Sequence, residues 1–108
     1  MNRIPRKTAI SVEEALKAYL RQAHLTPGLN TQRVFAAWDE ASGAGSVTVR
    51  KFFRDGKLYI TVSSSVIRSQ LLFQKQGLIE KINEILSRDM LFDTEDTTVG
   101  FVKELILK

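Results

Sequence analysis

Apolar residues recur at helical spacing from the eleventh residue onward: Val12, Ala15, Leu16, Tyr19, Leu20 and Ala23. Ser11 stands just before this stripe and Glu14 is the third residue after it. That spacing predicts a capping box, in which the serine hydroxyl accepts from a free backbone N–H and the glutamate reaches back. The helix should stop before Thr26-Pro27-Gly28, since proline disfavours helix in the residue ahead of it. A second stripe, Val34, Phe35, Ala37, Trp38 and Ala41, predicts a helix capped by Asn30 or Thr31 and ended by Gly43 and Gly45. Trp38 is the only tryptophan and shares a face with Val34 and Ala41, which makes it a core anchor.

The period then changes from helical to alternating. Ser46 to Arg54 places Val47, Val49, Lys51 and Phe53 on one side, with Thr48, Arg50, Phe52 and Arg54 on the other. Asp55-Gly56 follows, a pair suited to a type I′ turn with positive φ at both central residues. Lys57 to Val62 alternates again, with Leu58, Ile60 and Val62 facing one side. An antiparallel hairpin with an aliphatic inner face is expected. Ser63, Ser64 and Ser65 end the strand and cap the next helix. Ile67, Leu71, Leu78, Ile82 and Ile85 carry that helix to about Arg88, either unbroken or interrupted at Gly77. Asp89 to Thr98 reads as an acidic loop, and Val99 to Leu107 as a third strand.

The expected order is α-α-β-β-α-β, a two-layer α+β domain over residues 11–108 with a three-stranded sheet. The last strand is expected to run parallel to a hairpin strand after crossing the sheet through the long helix. Residues 1–10 carry Arg3, Arg6 and Lys7 without periodicity and read as a flexible basic arm.

Composition narrows the setting. The chain of 108 residues suffices for one core. It has no cysteine, no signal-peptide pattern and no apolar run near the roughly 20 residues of a membrane span, so a cytoplasmic protein without a membrane partner is expected. Charge is uneven: residues 1–78 hold twelve Lys/Arg against five Asp/Glu, a net of +7, whereas residues 79–108 have a net of −3. A basic portion of this kind suits an anionic partner.

Candidate chemistry follows from these placements. Arg50, Phe52, Arg54 and Tyr59, with Thr48 and Thr61, should point away from the aliphatic hairpin face. Two aromatic rings among arginines suit a single-stranded nucleic acid, whose bases stack while phosphates meet the cations. The same face would equally serve a neighbouring subunit, so a homodimer or protein–protein adaptor is the alternative. Ser64 and Ser65 at a helix N-terminus, with Arg68 and Lys57, form a second candidate anion site, against which plain helix capping must be weighed. His24, the only histidine, has no partner at metal-ligand spacing and reads as a residue near a helix end. No nucleophile–base, P-loop or dinucleotide pattern occurs, so neither an enzyme nor a cofactor is expected.

The ordered succession of Trp38, Gly43, Gly45, Asp55-Gly56, Leu58-Tyr59-Ile60-Thr61-Val62, the serines, Leu71 and Leu78…Ile82-Asn83…Leu86 resembles the DciA family over residues 31–108. The resemblance implies a KH-like fold with helices on one face of the sheet. It also implies a DNA-binding role in chromosome replication, DNA rather than RNA, as an accessory to the replicative helicase. In place of the KH loop G-x-x-G the chain has Gln74-Lys75-Gln76-Gly77. The residues themselves leave open whether the nucleic acid is DNA or RNA, and whether it is single- or double-stranded.

Overall fold

In the computed structural model, residues 11–96 and 98–108 are described. Arg3, Arg6 and Lys7 of the expected basic arm lie outside them. The elements are helices α1 (Val12–Gln22) and α2 (Thr26–Ser42), a 3-10 turn (Gly45–Val47), strands β1 (Thr48–Arg54) and β2 (Lys57–Val62), helices α3 (Ser65–Phe73) and α4 (Lys75–Arg88), and strand β3 (Glu104–Leu107). The fold is α+β, with a mixed sheet ordered β1-β2-β3, β1 antiparallel and β3 parallel to β2. One face of the sheet gives Phe53, Leu58, Ile60, Val62 and Leu105 to a core completed by Val34 and Trp38 of α2 and Leu78, Ile82 and Leu86 of α4. Among the described residues no helix is long and apolar enough to cross a membrane.

Several local expectations hold. The Ser11–Glu14 capping box starts α1. Asp55 and Gly56 both take positive φ, 54° and 78°, and set the register that pairs Phe53 with Leu58 and Phe52 with Tyr59. Gly43, at φ 65°, ends α2. His24 closes α1 in a left-handed turn (φ 60°), with the Leu25 N–H donating to the Leu20 carbonyl at 2.7 Å.

Four boundaries differ from expectation. Helix α2 begins at Thr26, not at Asn30 or Thr31, because Pro27 sits in the first turn, where its missing N–H costs nothing. The long helix breaks at Gln74, not at Gly77, which lies inside the first turn of α4. Its two halves serve different partners: α3 lies against β2 and β3, and α4 mainly against α2, so one straight axis cannot serve both. Strand β3 is shorter than the expected Val99 to Leu107. Finally, the register of β1 shifts between Thr48 and Arg50, leaving Val49 as an exposed bulge residue. Thr48 therefore turns inward: its hydroxyl accepts from the Trp38 indole N–H at 3.1 Å and donates to the Ala44 carbonyl at 2.8 Å. It does not belong to the outer face.

The acidic connector between α4 and β3 is tied down at both ends. Phe92 and Asp93 are buried. Asn30 donates from Nδ2 to the carbonyls of Asp93 and Val99, each at 2.9 Å, and its Oδ1 accepts from the Asp93 N–H at 2.9 Å. Asn83 makes the corresponding pair of bonds to the backbone of Val102. The Asp93 carboxylate grips the Arg21 guanidinium through two hydrogen bonds of 2.6 and 2.8 Å, which fastens α1 to the connector.

That hydrogen bond from Arg21 holds the Asp93 carboxyl below its ordinary pKa, against the opposing effect of burial and with help from the Glu95 backbone N–H. A depressed folded-state pKa gives stability that is complete above the unfolded value of about 3.9 and is lost as pH falls through the folded value. Thermal melts are expected to fall on acidification below about pH 4. Asp93→Asn should flatten that fall, and an unchanged pH profile would show that Asp93 does not set it.

Candidate nucleic-acid interface

Residues paired across a sheet project from the same face, so strand register converts the alternation of each strand into rows. The centre row of the outer face is Phe52, Tyr59 and Ile106, since Tyr59 pairs with both neighbours. On one side lies the row Arg54, Lys57 and Glu104. On the other lies Arg50, Thr61 and Lys108, the last placed by bonds from its N–H to the Ile60 carbonyl and from the Val62 N–H to its own carbonyl. Rows alternate every second residue, roughly 7 Å apart. An apolar, aromatic band thus runs between two bands that carry cations.

The geometry suits stacking. The Phe52 and Tyr59 rings are 5.7 Å apart between centroids and tilted by 47°. Phe52 is 51% exposed despite its size. Lys108 Nζ stands 5.7 Å over the Tyr59 ring. Arg50, Lys51, Phe52, Tyr59, Thr61 and Lys108 line a shallow hollow of about 470 Å³. Lys51 is not one of the available cations: it pairs with Asp39 at 2.8 Å. Arg54 touches Asp55 at 3.7 Å, both well exposed, a contact that solvent weakens. Among the described residues no carboxylate lies within ion-pair distance of Arg50, Lys57 or Lys108.

Of the expected site residues, Arg50, Phe52, Arg54, Lys57 and Tyr59 come together on this face. The serine group does not converge with all of its suggested companions. Lys57 starts β2 and Ser64 lies seven residues on, about 23 Å along an extended chain, so the two do not share one anion. Ser64 caps α3, its Oγ accepting from the Ile67 N–H at 3.2 Å. Ser65 opens that helix and Arg68 lies half-buried one turn on. They adjoin the end of the sheet where Thr61 and Lys108 stand.

Ile106 and Lys108 were missed from the sequence. The alternation of Glu104, Leu105, Ile106, Leu107 and Lys108 contains the signal that they face outward. Only the parallel register shows that they extend the Phe52–Tyr59 row and the Arg50 row.

In comparison with known proteins, residues 11–92 match the family model described as Dna[CI] antecedent, DciA. No curated protein and no solved structure matches the chain.

Proposed function

The chain belongs to the DciA family, which is associated with replication in bacteria, and from that premise we propose that it is a cytoplasmic DNA-binding domain whose outer sheet face receives a single strand. The observation that supports this reading is the aromatic row Phe52–Tyr59 between rows bearing Arg50 and Lys108 on one side and Arg54 and Lys57 on the other. Bases stack on the rings, and phosphates meet the flanking cations. Ser64, Ser65 and Arg68 extend the path beyond Thr61. The arm residues Arg3, Arg6 and Lys7 add sequence-independent charge.

The domain works by binding and not by catalysis. Among the described residues, Arg21 and Asp93 displace each other's protonation, and this pair is absorbed in its own ion pair. Family membership supports an accessory role at the replicative helicase, with the domain holding the strand on which the helicase is placed.

A labelled oligonucleotide titration tests the reading. Binding to single strands should be measurable at low salt and stronger than to duplex DNA. With four cations engaged, the log–log salt slope should approach about −3, so a fourfold rise in salt weakens binding by roughly 50-fold. No shift at low salt, together with a mass that rises with concentration and falls when this face is altered, would instead assign the face to a protein partner or a second subunit. DNA bound no better than RNA of the same sequence would remove the DNA preference.

A further inference from the structure

Helix α1 is attached to the rest of the chain by the wrong side for a core helix. Its inward flank is mixed: Arg21 is held by Asp93, and Leu20 and Lys17 are only half-buried beside it. The rest of its apolar stripe faces out. Val12 is 81% exposed, Tyr19 63% and Leu16 37%, with Ala15 and Ala23 exposed beside them. No residue of α1 is buried. An amphipathic helix presented this way offers a contiguous apolar surface to something outside its own fold.

We infer that α1 pairs antiparallel with α1 of a second copy of this chain. The stripe is symmetric about a point between Lys17 and Ala18, close to the helix midpoint. Val12 and Ala23 stand equally far from that point, and so do Leu16 and Tyr19. A twofold axis there sets Val12 of one copy against Ala23 of the other, and Leu16 against Tyr19, large side chains meeting smaller or complementary ones. A shallow hollow of about 330 Å³ bounded by Tyr19, Gln22 and Ala23 lies where Val12 of the second copy arrives.

Charge agrees with this arrangement. Beside the stripe, Glu13 of one copy comes next to Gln22 of the other, so no like charges meet. Glu14 of one copy comes level with Arg21 in the last turn of the other, and the helix dipoles run antiparallel. The left-handed turn at His24 and the Arg21–Asp93 grip fix the orientation of α1 in advance, which lowers the ordering cost of association. Two three-turn helices bury little area, so the dimer exchanges with monomer at ordinary concentrations.

Sedimentation equilibrium over a wide concentration range reads this directly and needs no nucleic acid, so its outcome is separate from that of the sheet face. The average mass should rise toward twice the monomer mass. Leu16→Glu with Tyr19→Glu should abolish the rise and leave the melting temperature unchanged, because neither side chain enters the core. A monomer mass throughout would overturn the pairing, as would a large fall in melting temperature of the double variant, which would mean that the stripe packs within its own chain. The chain has no cysteine, so single-cysteine variants report the direction of pairing. In the antiparallel pair two copies of position 16 lie about 4.5 Å apart along the axis, and two copies of position 12 about 17 Å. Leu16→Cys should be joined by a short bifunctional thiol reagent and Val12→Cys should not. Equal joining at both positions would overturn the antiparallel arrangement.

Discussion

Replacing Arg50 and Arg54 together by glutamate is expected to weaken single-strand binding by about 25-fold or more at about 0.1 M salt, and to reduce the salt slope by about 1.4. Each phosphate contact on a single strand contributes about 0.7 to that slope, and charge reversal adds repulsion to the loss of two contacts. The two arginines flank the aromatic row from opposite sides, so the variant attacks both rows. Both side chains face away from the core, and the fold should survive, which a circular dichroism melt checks. Phe52→Ala separates the two components of binding. It should cost about 1–3 kcal/mol of affinity through lost stacking and leave the salt slope unchanged. A folded double variant with undiminished affinity would remove the outer face from the binding surface, whatever else binds.

Asn30→Ala is expected to produce the largest loss of stability from a small substitution, on the order of 3 kcal/mol, or a melting temperature lower by roughly 15 °C. The fully buried amide satisfies three backbone groups, the Asp93 N–H and the carbonyls of Asp93 and Val99. Removing it strands them in a place water does not reach, and an unpaired buried group costs about 1–3 kcal/mol. The consequence should extend further than α2. Asp93 positions Arg21 and hence α1, and the same connector delivers β3 and with it Ile106 and Lys108 to the outer face. Oligonucleotide affinity should therefore weaken in Asn30→Ala at temperatures where the protein is still folded. Asn83→Ala, whose two bonds to Val102 are only partly buried, should lose less. A loss below about 1 kcal/mol for Asn30→Ala would mean that water enters and replaces the amide.

The contrast between the two asparagines and the Asp55-Gly56 turn shows what kind of information the chain carries locally. Asp55 and Gly56 adopt positive φ because of what they are, and the register of Phe52 against Tyr59 follows from the turn itself. Much of the candidate face was legible for that reason: Arg50, Phe52, Arg54, Lys57 and Tyr59 were placed by alternation about one tight turn. Asn30 gave the opposite lesson. Its side chain suits a helix cap, and Pro27 suits a helix boundary, yet Pro27 is also welcome in a first turn. What settles the choice is an anchor for residues 63 and 69 positions away. Thr48 was assigned to the outer face because strict alternation cannot register a bulge, which arises from pairing with β2 and from the Trp38 indole seeking an acceptor.

By itself the sequence determined the elements whose causes lie within a few residues: the capping box of α1, the glycine end of α2, the hairpin and its inner face, the serine cap of α3. It also determined the α+β class and the family pattern. The parallel direction of β3 was expected; the tertiary structure alone decided that its neighbour is β2 and that its register completes the outer rows with Ile106 and Lys108. It alone decided that the long helix parts at Gln74, and that α1 turns its apolar stripe outward. These outcomes depend on which surfaces compete for burial and which distant polar groups need partners, and neither is encoded in the spacing of neighbouring residues.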